Sequence, residues 1–461
     1  MPAQEKPLYY LTIHEAQKLI RARELSPLEL TRAVLRRIEA VNGQLHAYLK
    51  LMAESALAEA RAAEAEILQG RYRGSLHGIP VAVKDQLDVQ GAPALIRGDK
   101  VKVSQDATAV EKLRKAGAVI LGKLAMSSLP IDIPPPRNPW NTGRITGGSS
   151  TGAGAAVAAG LCLGALGEDT AGSIRNPASL CGIVGLKATY GRVSRSGLAP
   201  LSWSLDHCGP MTWVVEDAAH MLQAVAGYDP KDPTSIDAPV PDYAAALKPD
   251  IKGMVVGVPR DYIEECRVRT DPEVLTLVDR AIRELETLGA RVEEVKLPTM
   301  KLATVANAMI YYNEHFAAHR NEAKTNIKNA ATSARARVYL GLLTSAADYI
   351  QAQRIRARVK NEFAEVFRKV NLLALPCQLK PAPTFEETGP LDTFYKHLAA
   401  EYQGPFNLAG LPAISIPCGF SRDKLPVALQ LAGKPFDEQT VLRAAYTYQQ
   451  HAKWYEQRPP I

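Results

Sequence analysis

The order of strand-like and helix-like segments along this 461-residue chain predicts an α/β fold built as a single large domain. Three observations carry that expectation. From residue 77 onward, short apolar runs alternate with amphipathic stretches at helical spacing. No internal repeat or low-complexity linker divides the chain. Hydrophobic residues make up 46% and charged residues 22%, as in globular proteins whose core needs no staples. A helical region over about residues 1–70 is expected to pack on the domain, which then spans 1–461.

Thr12-x-x-Glu15, preceded by Leu11, reads as a capping box, in which hydroxyl and carboxylate each satisfy a free backbone N–H. Ser26-Pro27-Leu28-Glu29 repeats the pattern, with proline at the first helical position, where its missing N–H matters least. Leu30, Val34, Ile38 and Val41 then line one helical face, and Ala53–Leu68 is an Ala/Glu-rich helix. From His77 the period changes, and Val81 and Val83 alternate with Ala82 and Lys84 as on a strand. An amphipathic helix over 109–116 leads to a buried strand over 117–122 with glycine at each end. Pro134, Pro135 and Pro136, then Asn138-Pro139, read as a loop. Residues 151–160 form a helix of very small side chains that lets backbones approach closely. A strand is expected at 163–166, with a turn beginning at Asp169 and a further apolar run at 183–186, then a helix over 215–226 and a strand over 254–258. A long helix over 272–288 stops at Gly289, and 300–369 is mostly helical. Strands at 372–375, 413–417 and 426–431 and a helix at 441–451 complete the chain.

The net charge of +7 is concentrated. Residues 320–369 hold eleven Lys/Arg against four Asp/Glu, the whole surplus, with Arg354, Arg356, Arg358 and Lys360 alternating. This reads as a solvated helical face, or else as a surface for an acidic partner. Neither aromatic interleaving nor a nucleic-acid motif accompanies it. The six cysteines lie far apart without a C-x-x-C pair, so reduced, buried thiols are expected rather than disulfides or a zinc site. The N-terminus lacks the pattern of a signal peptide, and the weakly polar stretch 152–166 is too short to span a bilayer. A soluble, cytoplasmic protein is therefore expected.

Three segments could carry chemistry. In Thr170-Ala171-Gly172-Ser173 the side chains are small, so the turn can aim several backbone N–H groups at one point, as a developing oxyanion needs; a plain structural turn would look the same. Gly147 to Gly152 opens a helix like a phosphate loop, but Ala153 stands where a P-loop requires lysine, and Rossmann spacing is absent. Two consecutive hydroxyls, Ser149 and Ser150, held among glycines suit a proton relay better. Lys84 ends the apolar run 79–83. It could snorkel at a strand end, or, if buried, be driven towards its neutral form and serve as a base. A Ser–Lys arrangement needs no histidine. His315 and His319 lie four apart beside Glu314, but the order is not H-E-x-x-H and no third ligand is evident. His77 and His207 are isolated and read as structural. No metal and no cofactor is expected.

Taken together, these segments resemble the amidase signature family. The resemblance rests on Gly147-Gly148-Ser149-Ser150, on Asp169-Thr170-Ala171-Gly172-Ser173-Ile174-Arg175-Asn176-Pro177-Ala178, and on Cys181-Gly182-Ile183-Val184-Gly185-Leu186-Lys187. It extends through Gly197-Leu198-Ala199-Pro200, Gly209-Pro210-Met211 and Gly227-Tyr228-Asp229 to Asn407-Leu408-Ala409-Gly410-Leu411-Pro412 and Leu425-Pro426-Val427-Ala428-Leu429-Gln430. The likeness is weakest over about 232–370. It implies a large twisted mixed β-sheet covered by helices on both faces. It also implies a Ser–cis-Ser–Lys triad in which Lys84 corresponds to the base, Ser149, after a cis peptide bond, to the bridging residue, and Ser173 to the nucleophile. Thr170, Ala171 and Gly172 would provide oxyanion N–H donors.

The departures from the family pattern bear on substrate. Ala171 stands where glycine is frequent. After Gly122-Lys123-Leu124-Ala125-Met126 the chain reaches Asn138-Pro139-Trp140 early, and Ala94-Leu95-Ile96-Arg97 replaces small hydroxyl residues. A shortened, proline-stiffened loop suggests an open, apolar pocket lined by Met126, Leu129 and Ile131, with Tyr311 and Tyr312 as further candidates. The expected activity is cleavage of carboxamide C–N bonds in small or aryl amides, with carbamates included, through an acyl-enzyme on Ser173. A glutamyl-tRNA amidotransferase A-like subunit is the alternative, and an inactive binding or scaffold protein is the reading from another class. The expected partner is a small-molecule amide or carbamate, without nucleic acid or membrane, and a homodimer is left open.

Overall fold

The computed structural model describes residues 6–95, 103–127, 133–326, 332–388 and 400–461. Leu129 and Ile131 lie outside these, as do Ile96 and Arg97. The chain opens with α1 (Ile13–Ala22), α2 (Pro27–Leu45), β1 (Tyr48–Leu51), α3 (Ala53–Leu68), β2 (Pro80–Lys84), α4 (Thr108–Lys115), β3 (Val119–Leu124), β4 (Arg137–Asn138) and β5 (Asn141–Ile145). The middle third holds α5 (Thr151–Ala158), β6 (Gly164–Asp169), α6 (Arg175–Cys181), β7 (Val184–Lys187), β8 (His207–Thr212), α7 (Val215–Val225), β9 (Val255–Val258), α8 (Arg260–Cys266), α9 (Pro272–Thr287) and β10 (Arg291–Glu294). It is followed by α10 (Met300–Asn326), α11 (Thr332–Leu343), α12 (Ala346–Val366), β11 (Leu372–Pro376), α13 (Phe385–Thr388), α14 (Gly404–Ala409), β12 (Ala413–Phe420), β13 (Pro426–Gly433) and α15 (Glu438–Ala452).

Among the described residues, eleven strands form one mixed sheet in the order β1-β3-β2-β6-β8-β7-β12-β13-β11-β9-β10. Its centre, from β6 to β11, is antiparallel, while β3-β2-β6 and β11-β9-β10 are parallel. Helices flank the sheet, and their apolar faces join its side chains in one continuous core. Thr12 and Glu15 close a full capping box, whereas at the second expected box the structure shows the N-cap half, Ser26 Oγ accepting from Leu28 N at 3.0 Å and Glu29 N at 3.2 Å. All six cysteines are free and buried. No described helix is long and apolar enough to cross a membrane.

Several elements escaped the sequence pattern. β1 lies inside the stretch read as helical, a four-residue edge strand whose pairing comes from β3. The loop expected around 134–139 contains β4, which pairs with β5; Asn138 holds it by accepting from Trp140 N (3.0 Å) and donating to Leu180 O (2.9 Å). β8 contains Gly209 and Pro210, both poor strand formers. β7 pairs only with Met211 and Thr212, so Pro210 falls outside that ladder.

The small-residue helix behaves as expected. Every residue of α5 is buried, and it packs on α6 and on β2, β3, β6 and β8. A Cβ at Gly152 would lie 2.4 Å from Ala47 O and 2.6 Å from Ala125 N, both backbone atoms that cannot turn aside. Gly152→Ala is therefore expected to destabilise the fold by about 1–3 kcal/mol, the usual cost of overpacking, measured as a lower urea midpoint with an unchanged m-value.

Candidate active site

β2 and β6 run parallel with Val81 opposite Gly164 and Val83 opposite Leu166, so their C-terminal ends lie side by side. Lys84 ends one strand, and Glu168 and Asp169 end the other. β8 starts there in the opposite direction, with His207 beside Asp169 and Cys208 beside Glu168. Lys84 is fully buried. Its Nζ donates to Ser149 Oγ at 2.6 Å, Glu168 Oε2 at 2.7 Å and Glu168 O at 3.3 Å, which gives each of the three hydrogens of an ammonium an acceptor.

The Gly147–Gly152 loop is pinned from several sides, and the Gly148–Ser149 peptide bond is cis. Gly148 N donates to Asn176 Oδ1 (3.1 Å), Ser127 N to Ser149 O (3.2 Å) and Gly152 N to Ala125 O (2.9 Å). The two serines diverge. Ser149 faces Lys84, whereas Ser150 Oγ bonds both to Glu168 O (3.1 Å) and to Glu168 N (3.3 Å) and so ties the loop to β6. Ser150 N also donates to Ser173 O at 3.3 Å, which brings the third segment against the second. Within the turn 170–174, Ala171 and Ser173 are half-buried and the rest are buried.

A buried carboxylate shapes that turn. Asp169 Oδ1 accepts from Gly172 N (2.6 Å), Asn407 Nδ2 (2.8 Å) and Arg175 Nη2 (3.1 Å). Its Oδ2 accepts from Arg175 Nε (3.0 Å) and Ile174 N (3.2 Å). Arg175 continues to Gln430 Oε1 (2.7 Å) and Gln403 O (3.1 Å). Burial pushes the Asp169 carboxyl up, but the charge and hydrogen bonds of Arg175, with Lys187 and Asn407, outweigh it and hold the group well below the usual carboxylate range. Gly172 has φ of 120°, and a Cβ there would meet the Gln403 side chain. Its N–H, expected to face an oxyanion, is taken by Asp169.

A second acidic pair lies beside Lys84. Thr170 Oγ1 is 2.6 Å from Glu168 Oε1 and 2.9 Å from Asp206 Oδ1. Asp206 Oδ2 also accepts from Leu201 N (2.8 Å) and Ser202 N (3.0 Å). Burial and the neighbouring Glu168 push the Asp206 carboxyl well above its ordinary value. Tyr311 approaches from α10: burial pushes its hydroxyl up to about 12, opposed by Arg337 and assisted by Glu168 and Asp206.

The expected residues are distributed as follows. Lys84 and Ser149 are in direct contact, and the Thr170–Ser173 turn adjoins them through Ser150. Met126 is buried in a small satellite cluster with Ala125, against which Leu49, Leu95 and Ile133 pack. The His315 ring packs at a tilt against those of Tyr311 and His319, and His319 Nε2 lies 2.9 Å from Pro200 O. The basic stretch is not wholly solvated: Arg356 turns inward to Leu408 O and Ser204 O, each at 2.8 Å, while Arg354, Arg358 and Lys360 are exposed. Glu168, Asp206 and the partners of Arg175 were missed. A usable signal existed for the first: an acidic residue closing an apolar run is seldom buried unless it is paired.

Arg175→Met should leave Asp169 buried without its counter-charge and cost about 3–5 kcal/mol in urea unfolding near neutral pH. Because the folded carboxyl titrates below its unfolded value of about 3.9, its stabilisation is complete above that value and fades as pH falls further. The gap between wild type and variant should therefore shrink below about pH 4.

The sequence model described as Amidase matches residues 29–442. The chain is 43% identical to the A-type subunit of glutamyl-tRNA(Gln) amidotransferase from Moorella thermoacetica, over 98% of this chain and 99% of that protein. Among solved structures, it superposes on the Thermotoga maritima protein of the same name with a TM-score of 0.82 at 32% identity, covering 96% of this chain and 95% of that one. It superposes on 6-aminohexanoate cyclic dimer hydrolase, solved with substrate, with a TM-score of 0.88 at 25% identity, covering 98% and 99%.

Proposed function

This chain belongs to the amidase signature family and is an amidase-family hydrolase of C–N bonds, and on that footing we propose that it transfers an acyl group from a carboxamide to Ser173. The observation that carries this reading is the 2.6 Å hydrogen bond from the buried Lys84 Nζ to Ser149 Oγ, beside the half-buried Ser173 turn. Lys84, as the neutral amine, takes the Ser149 proton while Ser149 takes that of Ser173. The Ser173 oxygen bonds to the carbonyl carbon, and the N–H groups of Thr170 and Ala171 stabilise the oxyanion. The proton returns through Ser149 to the departing nitrogen, the C–N bond breaks, and water then cleaves the ester.

Similarity over the full length favours a role like that of the amidotransferase A-type subunits, with a primary carboxamide as ammonia source. The expectation of a small-molecule substrate without nucleic acid stands against the names of these relatives. A free-standing amidase on small or aryl amides or carbamates is the second reading. It is favoured by the likeness to a cyclic dimer hydrolase and by a deletion: the alignment to the Moorella protein runs over 494 positions against 461 residues here, so at least 33 have no counterpart. Glutamine-dependent ammonia release that requires partner subunits, ATP and tRNA would select the first reading. Turnover of aryl amides by the isolated chain would select the second.

Ser173→Ala and Lys84→Ala are each expected to lower kcat by about 10³-fold or more while leaving the thermal midpoint of Ser173→Ala within a degree or two. Mass spectrometry after treatment with a sulfonyl fluoride should place the adduct on Ser173. An adduct on any other serine contradicts the assignment.

A further inference from the structure

We propose that Glu168 is a positioning residue for Lys84 and receives the proton that Lys84 must shed before it can act as a base, so that the two side chains work as one proton-sharing pair. This inference rests on the acyl-transfer reading above. Both side chains are wholly buried, and Nζ lies 2.7 Å from Oε2. Such a contact favours an ammonium facing a carboxylate, the opposite of what a base requires.

Transfer across this hydrogen bond resolves the conflict. One Nζ–H bond breaks and one Oε2–H bond forms, leaving a neutral amine and a neutral carboxyl. The net charge of the pair is unchanged, and no proton is exchanged with solvent. The amine then accepts the Ser149 proton across 2.6 Å. When the leaving nitrogen has been protonated through Ser149, Lys84 is neutral again, and the proton on Glu168 returns to it.

The surroundings hold Glu168 ready for this. Its other oxygen, Oε1, is 2.6 Å from Thr170 Oγ1, which also reaches Asp206. A hydroxyl has a single proton to donate. A protonated Asp206 donating to Thr170, with Thr170 donating to Glu168, satisfies all three groups and agrees with the raised Asp206 carboxyl. Neutral Asp206 also leaves Lys84 and Glu168 balanced. The titratable groups facing Glu168 are Lys84 from β2, Asp206 from the turn before β8, Cys208 from β8 and Tyr311 from α10, with Arg195 acting on Asp206 and Arg337 on Tyr311. Burial pushes the Cys208 thiol and the Tyr311 hydroxyl each up to about 12, which leaves the exchange to Lys84 and Glu168.

The test is the rate of Ser173 modification by phenylmethanesulfonyl fluoride between about pH 5 and 10, with the adduct located by mass spectrometry, in wild type, Glu168→Gln and Glu168→Asp. Sharing predicts a wild-type rate that is level between about pH 6 and 9, because the pair keeps one proton throughout. Glutamine can accept a hydrogen bond but no proton, so the acid limb of Glu168→Gln should move up by about one unit or more, a roughly tenfold loss at about pH 6. Glu168→Asp should restore the level profile at a lower rate. A glutamine variant whose acid limb lies at or below that of wild type would show that Glu168 is a counter-ion only. If that variant does not fold, the wild type alone decides: a rate rising about tenfold per unit between about pH 7 and 9 overturns the proposal. A failure to modify Ser173 in wild type would remove the acyl-transfer reading and this inference together, whereas modification of Ser173 with the wrong profile removes only the inference.

Discussion

The architecture of the site depends on pairing the charges buried at the C-terminal ends of two neighbouring parallel strands. Lys84, Glu168 and Asp169 are all fully buried, within two residues of the ends of β2 and β6. An unpaired ion in such a place costs several kcal/mol, so each must find a partner nearby. Lys84 and Glu168 find each other across the strand pair. Asp169, which faces the other way on β6, finds Arg175 at the start of the next helix.

These two ion pairs then govern the backbone around them. Asp169 gathers the amides of Gly172 and Ile174 and so bends the chain between β6 and α6 into one tight turn. Ser150 bonds to the Glu168 backbone, which sets Ser149 over Lys84. Small residues make this possible, because Gly152 and Gly172 sit where any side chain would strike backbone or Gln403. The outcome is a set of polar groups fixed before substrate arrives, the condition under which electrostatic stabilisation is most effective.

The helices over this frame are held by a different set of contacts. Glu314 on α10 accepts from Ser202, Ser204 and Tyr349, joining α10 and α12 to the loop that carries Asp206. Arg356 on α12 donates to Ser204 and Leu408. The amidotransferase protein of Thermotoga and the cyclic dimer hydrolase both superpose on this chain over nearly its whole length, so proteins with different names share one frame.

Much of this was legible from residue order. Capping at Thr12 and Ser26, the close-packed helix α5 and the strands near 80, 164, 372 and 426 follow from local patterns that act over a few residues. The motif residues Lys84, Ser149 and Ser173 were likewise nameable from the resemblance. What local pattern could not decide is pairing. β8 was hidden by Gly209 and Pro210 because its place is set by β6 and β7. Ser149 and Glu168 stand 65 and 84 positions from Lys84, and Asn407 stands 238 from Asp169. Which carboxylate meets which cation depends on strand order, and strand order is settled only when the core closes and each buried charge has to be neutralised where it lies.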